Sequence, residues 1–267
     1  MCADKRSAPP TAQEATRRLI ALRHVAIYAR LSPDSDVLKA TLAKTDKGEQ
    51  KRLERAVIAA RDAYWGSLRD AKLWDVLTPL EQNFARKAWL TMDPEVYGLA
   101  TWCGESLHVL AWALGLVKEF PAFDVKSTLD PRTVIPTPDL NAFISSASLR
   151  PETEIRRARD LAELWHWRRR TRQRIEAREL LIPTAAERAL GVKTYEDAVR
   201  YTARKLAEQG TIITLEEDMA ALGKPYRALS DEEFRVLGSI AGERHRMLNW
   251  LCGYAPKNQW DVTPTNT

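Results

Sequence analysis

The chain has 267 residues, 45% hydrophobic and 29% charged, with a formal net charge of +5. That composition supports one large core or two modest ones and excludes disordered, fibrous and collagen-like classes. The longest apolar run, residues 109–117, is far short of the ~20 residues a membrane-spanning helix needs, so no membrane partner is expected.

Residues 1–10 read as a flexible tail that lacks the apolar run of a secretory signal. Cys2, Cys103 and Cys252 are too few and too scattered for a disulfide framework or a zinc knuckle, which points to the cytoplasm. Ala15, Leu19, Leu22, Ala26 and Ala29 recur on one face of a first helix, which Ser32-Pro33 should stop. Leu53, Val57, Tyr64 and Leu68 repeat that spacing in a second. Thr78-Pro-Leu-Glu81 is a capping box that opens a third helix, expected to end near Met92. Asp93-Pro94 starts a fourth, reaching Gly115 through Leu99, Trp102, Leu107, Leu110 and Leu114. It is apolar on nearly all sides and should be the most buried.

Prolines at 121, 131, 136 and 138 interrupt residues 118–150, a wrapping loop or a boundary between lobes 11–117 and 151–256. An arginine-rich helix is expected from Pro151 to about Leu181, another over 194–208, and a single strand over 211–215. Ser230-Asp-Glu-Glu233 caps a last helix that closes at Gly253. Residues 257–267 form a polar tail. The expectation is an all-α, single-domain bundle of about eight helices over residues 11–256.

Four blocks carry a resemblance: residues 101–115, residues 159–172, Gly223-Lys-Pro-Tyr226, and residues 243–254. They resemble the bacterial family called domain of unknown function 4272. The resemblance implies one intact domain and assigns no activity, substrate or cofactor.

Two Glu-x-x-His pairs, Glu105 with His108 and Glu163 with His166, each put a carboxylate and an imidazole on one helix face. Helical bundles hold paired metals this way, with extra glutamates from two further helices. Glu14, Glu54, Glu232, Glu243 and His245 could complete such a set for iron, manganese or zinc. The order of helices is wrong for that arrangement, however. The favoured reading is that Glu105 and His166 are buried polar groups satisfied by arginines and backbone, with no metal or cofactor.

Residues 150–178 hold ten arginines against five acids, a balance of +5 that equals the whole chain's. The chain is therefore basic on one surface at most, and nucleic acid is a disfavoured partner. At about 100° per residue, Arg156, Arg159, Arg170, Arg174 and Arg178 share a solvated sector. Arg157, Arg168 and Arg172 share the core-facing sector of Leu161, Leu164, Trp165 and Ile175, where they should meet internal carboxylates or an anionic ligand. Trp167 is the tryptophan placed to stack on a ligand or cation. Lys224 and Tyr226 sit on a turn that could edge a pocket, and His245 reads as a core histidine. The serine-hydrolase elbow, the Walker loop and the dinucleotide fingerprint are absent.

These readings favour a non-catalytic cytosolic binding or interaction protein. Its expected binding residues are Glu105, Glu163, His166, Trp167, Arg168, Arg172, Tyr226 and His245, for an anionic small molecule or protein partner. The alternative is a metal-dependent helical-bundle enzyme using Glu105, His108, Glu163 and His166. A weaker alternative is nucleic-acid binding through the arginine-rich helix.

Overall fold

The computed structural model describes residues 7–31, 40–87 and 94–265. Helices dominate, as the periodicity requires: α1 (Ala12–Leu31), α2 (Lys47–Asp70), α3 (Pro79–Arg86), α4 (Pro94–Ala113), α5 (Leu140–Ser145), α6 (Glu152–Glu176), α7 (Ala185–Ala189), α8 (Tyr195–Glu208) and α9 (Asp231–Leu251). Strands β1 (Thr214–Leu215), β2 (Asp218–Ala221) and β3 (Lys224–Pro225) form one small antiparallel sheet in sequence order. No helix among the described residues is long and apolar enough to cross a membrane.

The described residues fall into two compact units. The first draws on the described residues of 1–121, 127–156 and 246–264, the second on those of 122–126, 157–245 and on Thr265.

In the first unit α1 packs along α4, whose Cys103, Leu107, Val109, Leu110 and Ala111 are buried as the apolar pattern predicts. Thr78 and Glu81 form the expected capping box of α3, worth about 1 kcal/mol. Glu81 also takes both Nη atoms of the buried Arg18, each at 2.7 Å, tying α3 to α1. The third helix stops at Arg86 rather than near Met92, which lies outside the described residues, as does Ser32-Pro33. Arg150 closes the C-terminal end of α4. Its Nε donates to the Trp112 carbonyl at 2.7 Å and its backbone N–H to the Ala113 carbonyl at 2.8 Å, placing a cation at the negative end of the helix dipole.

In the second unit the single strand expected over 211–215 is instead the first of three. Both connecting turns have positive φ at two successive residues, Glu216 and Glu217 (47° and 62°), then Leu222 and Gly223 (53° and 74°). Tight hairpins need that geometry, and Asn-Gly normally signals it. Glu-Glu does not, so the hairpin left no such mark in the sequence. The arginine-rich helix likewise ends at Glu176, short of Leu181. Arg178 takes φ +55° there, while Glu179 N–H closes back on the Arg174 carbonyl at 3.0 Å, a left-handed cap usually written with glycine.

Candidate functional site

The first Glu-x-x-His pair lies in the first unit and acts as a clamp. Ser127 of the proline-rich stretch donates its backbone N–H to Glu105 Oε1 at 2.8 Å, and its hydroxyl lies 2.9 Å from His108 Nδ1. Glu105 is only 2% exposed, and its contact with Ser127 holds this segment against α4. Helical spacing serves here to grip the backbone and side chain of one residue at once.

The second pair lies in the second unit and has other neighbours. Both Glu163 oxygens accept from Arg159, at 2.5 and 3.1 Å, and Arg159 reaches Asp160 as well. His166 instead faces His245 of α9, ring centroids 5.3 Å apart. His245 is fully buried, neither ring nitrogen has a hydrogen-bond partner among the described residues, and its pKa is pushed down to about 3, chiefly by burial, then by His166 and Arg159. It is a core histidine by environment. Among the described residues no three His, Cys, Asp or Glu side chains stand together as a metal would need.

The arginines of the core-facing sector divide. Arg157 is exposed, contrary to the wheel, whereas Arg168 is 2% exposed and makes two 2.7 Å bonds to Asp218 of β2. Asp218, fully buried, also accepts from the backbone N–H groups of Met219 and Arg227 at 2.8 and 2.9 Å. The expected internal ion pair thus exists, and its acid sits on the strand that sequence reasoning missed. Arg172 donates to Glu176 at 2.6 Å and to the Leu229 carbonyl at 2.9 Å. Lys224 is held by Glu233, the same residue that closes the Ser230 capping box.

Tyr226 sits at the centre of this group. The Arg168 guanidinium lies 4.8 Å from its ring centroid, Trp165 and Phe234 meet it edge-on, and its hydroxyl is buried without a partner among the described residues. Burial pushes its pKa up to about 12 against the pull of Arg168, Arg169 and Arg172, so it stays a neutral phenol.

Arg169 is the functional candidate the wheel did not single out. It is half-buried against α9, with Nη1 donating to the Gly238 carbonyl at 3.0 Å, and no carboxylate pairs with it among the described residues. A Cβ on Gly238 would stand 2.6 Å from its Nε, and one on Gly242 3.5 Å from its Nη1. The two glycines, four residues apart, make the trough in which it lies. Glycines at that spacing inside a helix are the sequence signal that was available. Burial lowers the Arg169 pKa, the mark of a cation short of compensation.

Trp167, by contrast, borders a shallow hollow of about 330 Å³ with Asp160, Glu163 and Leu164. Two of those three neighbours, Asp160 and Glu163, are acids, a poor setting for an anion.

The family model described as Domain of unknown function (DUF4272) matches residues 2–193, most of the chain, and the chain belongs to that family. Two of the blocks that carried the resemblance, 223–226 and 243–254, lie beyond the matched span, as do Asp218, Tyr226 and His245. No curated protein and no solved structure matches.

Proposed function

We propose that this member of the family is a cytosolic binding protein whose second unit holds an anionic small molecule, or an anionic group of a protein partner, at Arg169. The observation that carries the reading is the half-buried Arg169 guanidinium, which has one backbone acceptor and no acid among the described residues. Burying a cation without its counter-charge costs free energy that an arriving anion restores. Arg168, Arg169 and Arg172 all bear on Tyr226, while Asp218 is the buried carboxylate among them. Arg168 and Arg172 then build the positive surroundings: Asp218 holds Arg168 Nε and Nη2, and Glu176 and the Leu229 carbonyl hold Arg172, while Arg168 Nη1 is buried without a hydrogen-bond partner among the described residues.

The test is calorimetric titration of inorganic phosphate and of an oligoglutamate peptide into the full chain and into Arg169→Gln. Saturable binding, weakened at least about tenfold in a variant that keeps its unfolding midpoint, supports the proposal; that factor is about 1.4 kcal/mol. Binding equal in the two proteins, or none in the wild type, rejects it. Trp167→Ala should leave the titration unchanged, since its hollow is rimmed by acids.

A further inference from the structure

A hollow of about 400 Å³ opens in the first unit, lined by Arg23 and His24 of α1, Ser67 of α2, and residues 135–138 with Leu140. That volume is in the range of small-molecule sites, roughly 300–1,000 Å³. His24 is 7% exposed, and its Nδ1 lies 2.8 Å from the Ile20 carbonyl. A carbonyl oxygen only accepts, so Nδ1 carries the proton, and Nε2 of the neutral ring is left with its lone pair. Burial, the larger influence on this ring, lowers its pKa and keeps it in that form at neutral pH. The Ser67 hydroxyl oxygen lies 3.4 Å from Nε2.

Ser67 is exposed, and its hydroxyl donates to the Tyr64 carbonyl at 2.8 Å, so turning the O–H about the Cβ–Oγ bond aims the proton at His24. The Tyr64 hydroxyl donates to the His24 backbone carbonyl at 2.9 Å, while the Ile20 carbonyl on Nδ1 orients the ring of the base. Nucleophile, base and a third group that orients the base are the three parts of an activated serine, and apo structures commonly hold the first contact long. Arg23 stands beside them with Nε on the Pro131 carbonyl at 3.0 Å and no carboxylate in contact among the described residues. Its Nη groups are the donors available to an anionic oxygen.

We propose that Ser67, with His24 as general base, is the nucleophile of an ester-hydrolysing site for small carboxylic esters that carry a second, anionic group, with Arg23 as the cationic contact. Ser67 Oγ bonds to the acyl carbon as its proton passes to His24 Nε2. The ester C–O bond breaks, and the departing alkoxide takes that proton and leaves as the alcohol. Water then attacks the acyl carbon, giving a proton to Nε2. The acid leaves, and the proton returns to Ser67 Oγ. This activity goes beyond anion binding in the second unit and does not depend on it.

The full chain treated with a fluorophosphonate probe should carry one adduct, mapped to the peptide containing Ser67 and absent from Ser67→Ala. Because Ser67 is exposed, that variant should fold. Hydrolysis of p-nitrophenyl succinate should fall to background in Ser67→Ala, and Arg23→Gln should raise KM for it while sparing p-nitrophenyl acetate. His24→Gln should suppress labelling. If its buried site does not tolerate the change, Ser67→Cys supplies the arm: a thiol beside His24 should be alkylated by iodoacetamide at neutral pH at least tenfold faster than the thiol of an exposed control, Ser145→Cys. No adduct at Ser67, ester turnover unchanged in Ser67→Ala, or an engineered thiol with the rate of an ordinary exposed cysteine would each overturn the proposal.

Discussion

Arg168 and Asp218 are joined by two parallel 2.7 Å hydrogen bonds, and neither residue is more than 2% exposed. A buried pair of this kind is costly to half-remove, because the surviving charge keeps its desolvation penalty and loses its partner. Asp218 also anchors the Met219 and Arg227 amides, so it organises the hairpin as well as neutralising the helix. Asp218→Ala should therefore destabilise the second unit by about 3–5 kcal/mol. Urea unfolding followed by hydrogen exchange in β2 and α6 measures it. The double change Arg168→Met, Asp218→Leu should cost clearly less than Asp218→Ala alone. Equal costs would mean that the charge pair contributes no more than its packing.

The buried His245 makes stability depend on pH in one direction. Its pKa falls to about 3 in the folded chain, against an ordinary value near 6.5 when unfolded. Between those limits the unfolded chain binds a proton that the folded one refuses, so stability declines as pH falls below about 6.5. At pH 5, before most carboxylates titrate, the loss from this residue is on the order of 2 kcal/mol. Denaturant midpoints from pH 7 to pH 5 should fall steeply in the wild type and more shallowly in His245→Leu. His24, lowered in pKa by the same cause, adds a slope of equal sign in both proteins. Parallel slopes would contradict the environment described for His245.

What the sequence made legible follows from which signals are local. Capping boxes at Thr78 and Ser230 and the apolar run around Leu107 depend on neighbours within a turn or two, and the helices they mark are present. The hairpin at 214–225 was missed because its strands span two to four residues and one turn uses Glu216-Glu217 at positive φ. Losing that hairpin hid Asp218, the partner Arg168 needed. The helical wheel separated Arg168 from the solvated stripe, yet put the exposed Arg157 inside, because a wheel knows the phase of a residue but not which partners lie at its end of the helix. The Glu105 and His108 spacing was read as a possible ligand pair. Its use as a clamp on Ser127, 22 residues from Glu105 along the chain, has no local trace.

Gly238→Ala tests the trough on α9. The new Cβ would meet Arg169 Nε at 2.6 Å, and the guanidinium would have to leave its place beside the Gly238 carbonyl. Alanine favours the helix over glycine by about 1 kcal/mol. Displacing a half-buried cation that has no acid partner among the described residues adds little cost. Overall stability should therefore change by about 1 kcal/mol or less, while phosphate binding falls as far as in Arg169→Gln. A large loss of stability would show that Arg169 packs as a structural member instead.

Gly253 should be the least replaceable glycine of the first unit. It follows α9 at φ +79°, and its carbonyl accepts the Ser7 backbone N–H at 2.9 Å. A Cβ there would stand 2.4 Å from the Ser7 carbonyl oxygen and 3.2 Å from Pro9 N, both backbone atoms that cannot turn aside as a side chain can. Two costs combine, the left-handed conformation, at about 1 kcal/mol for a residue with a Cβ, and the forced release of the chain at Ser7. Gly253→Ala should lower stability by roughly 2–4 kcal/mol and expose the amide of Ser7 to rapid exchange. Gly115→Ala is the control, since that glycine has φ +71° but open space where its Cβ would go. It should lose only the conformational part, about 1 kcal/mol. Equal losses in the two variants would mean that the contact with Ser7 adds nothing to the cost at Gly253.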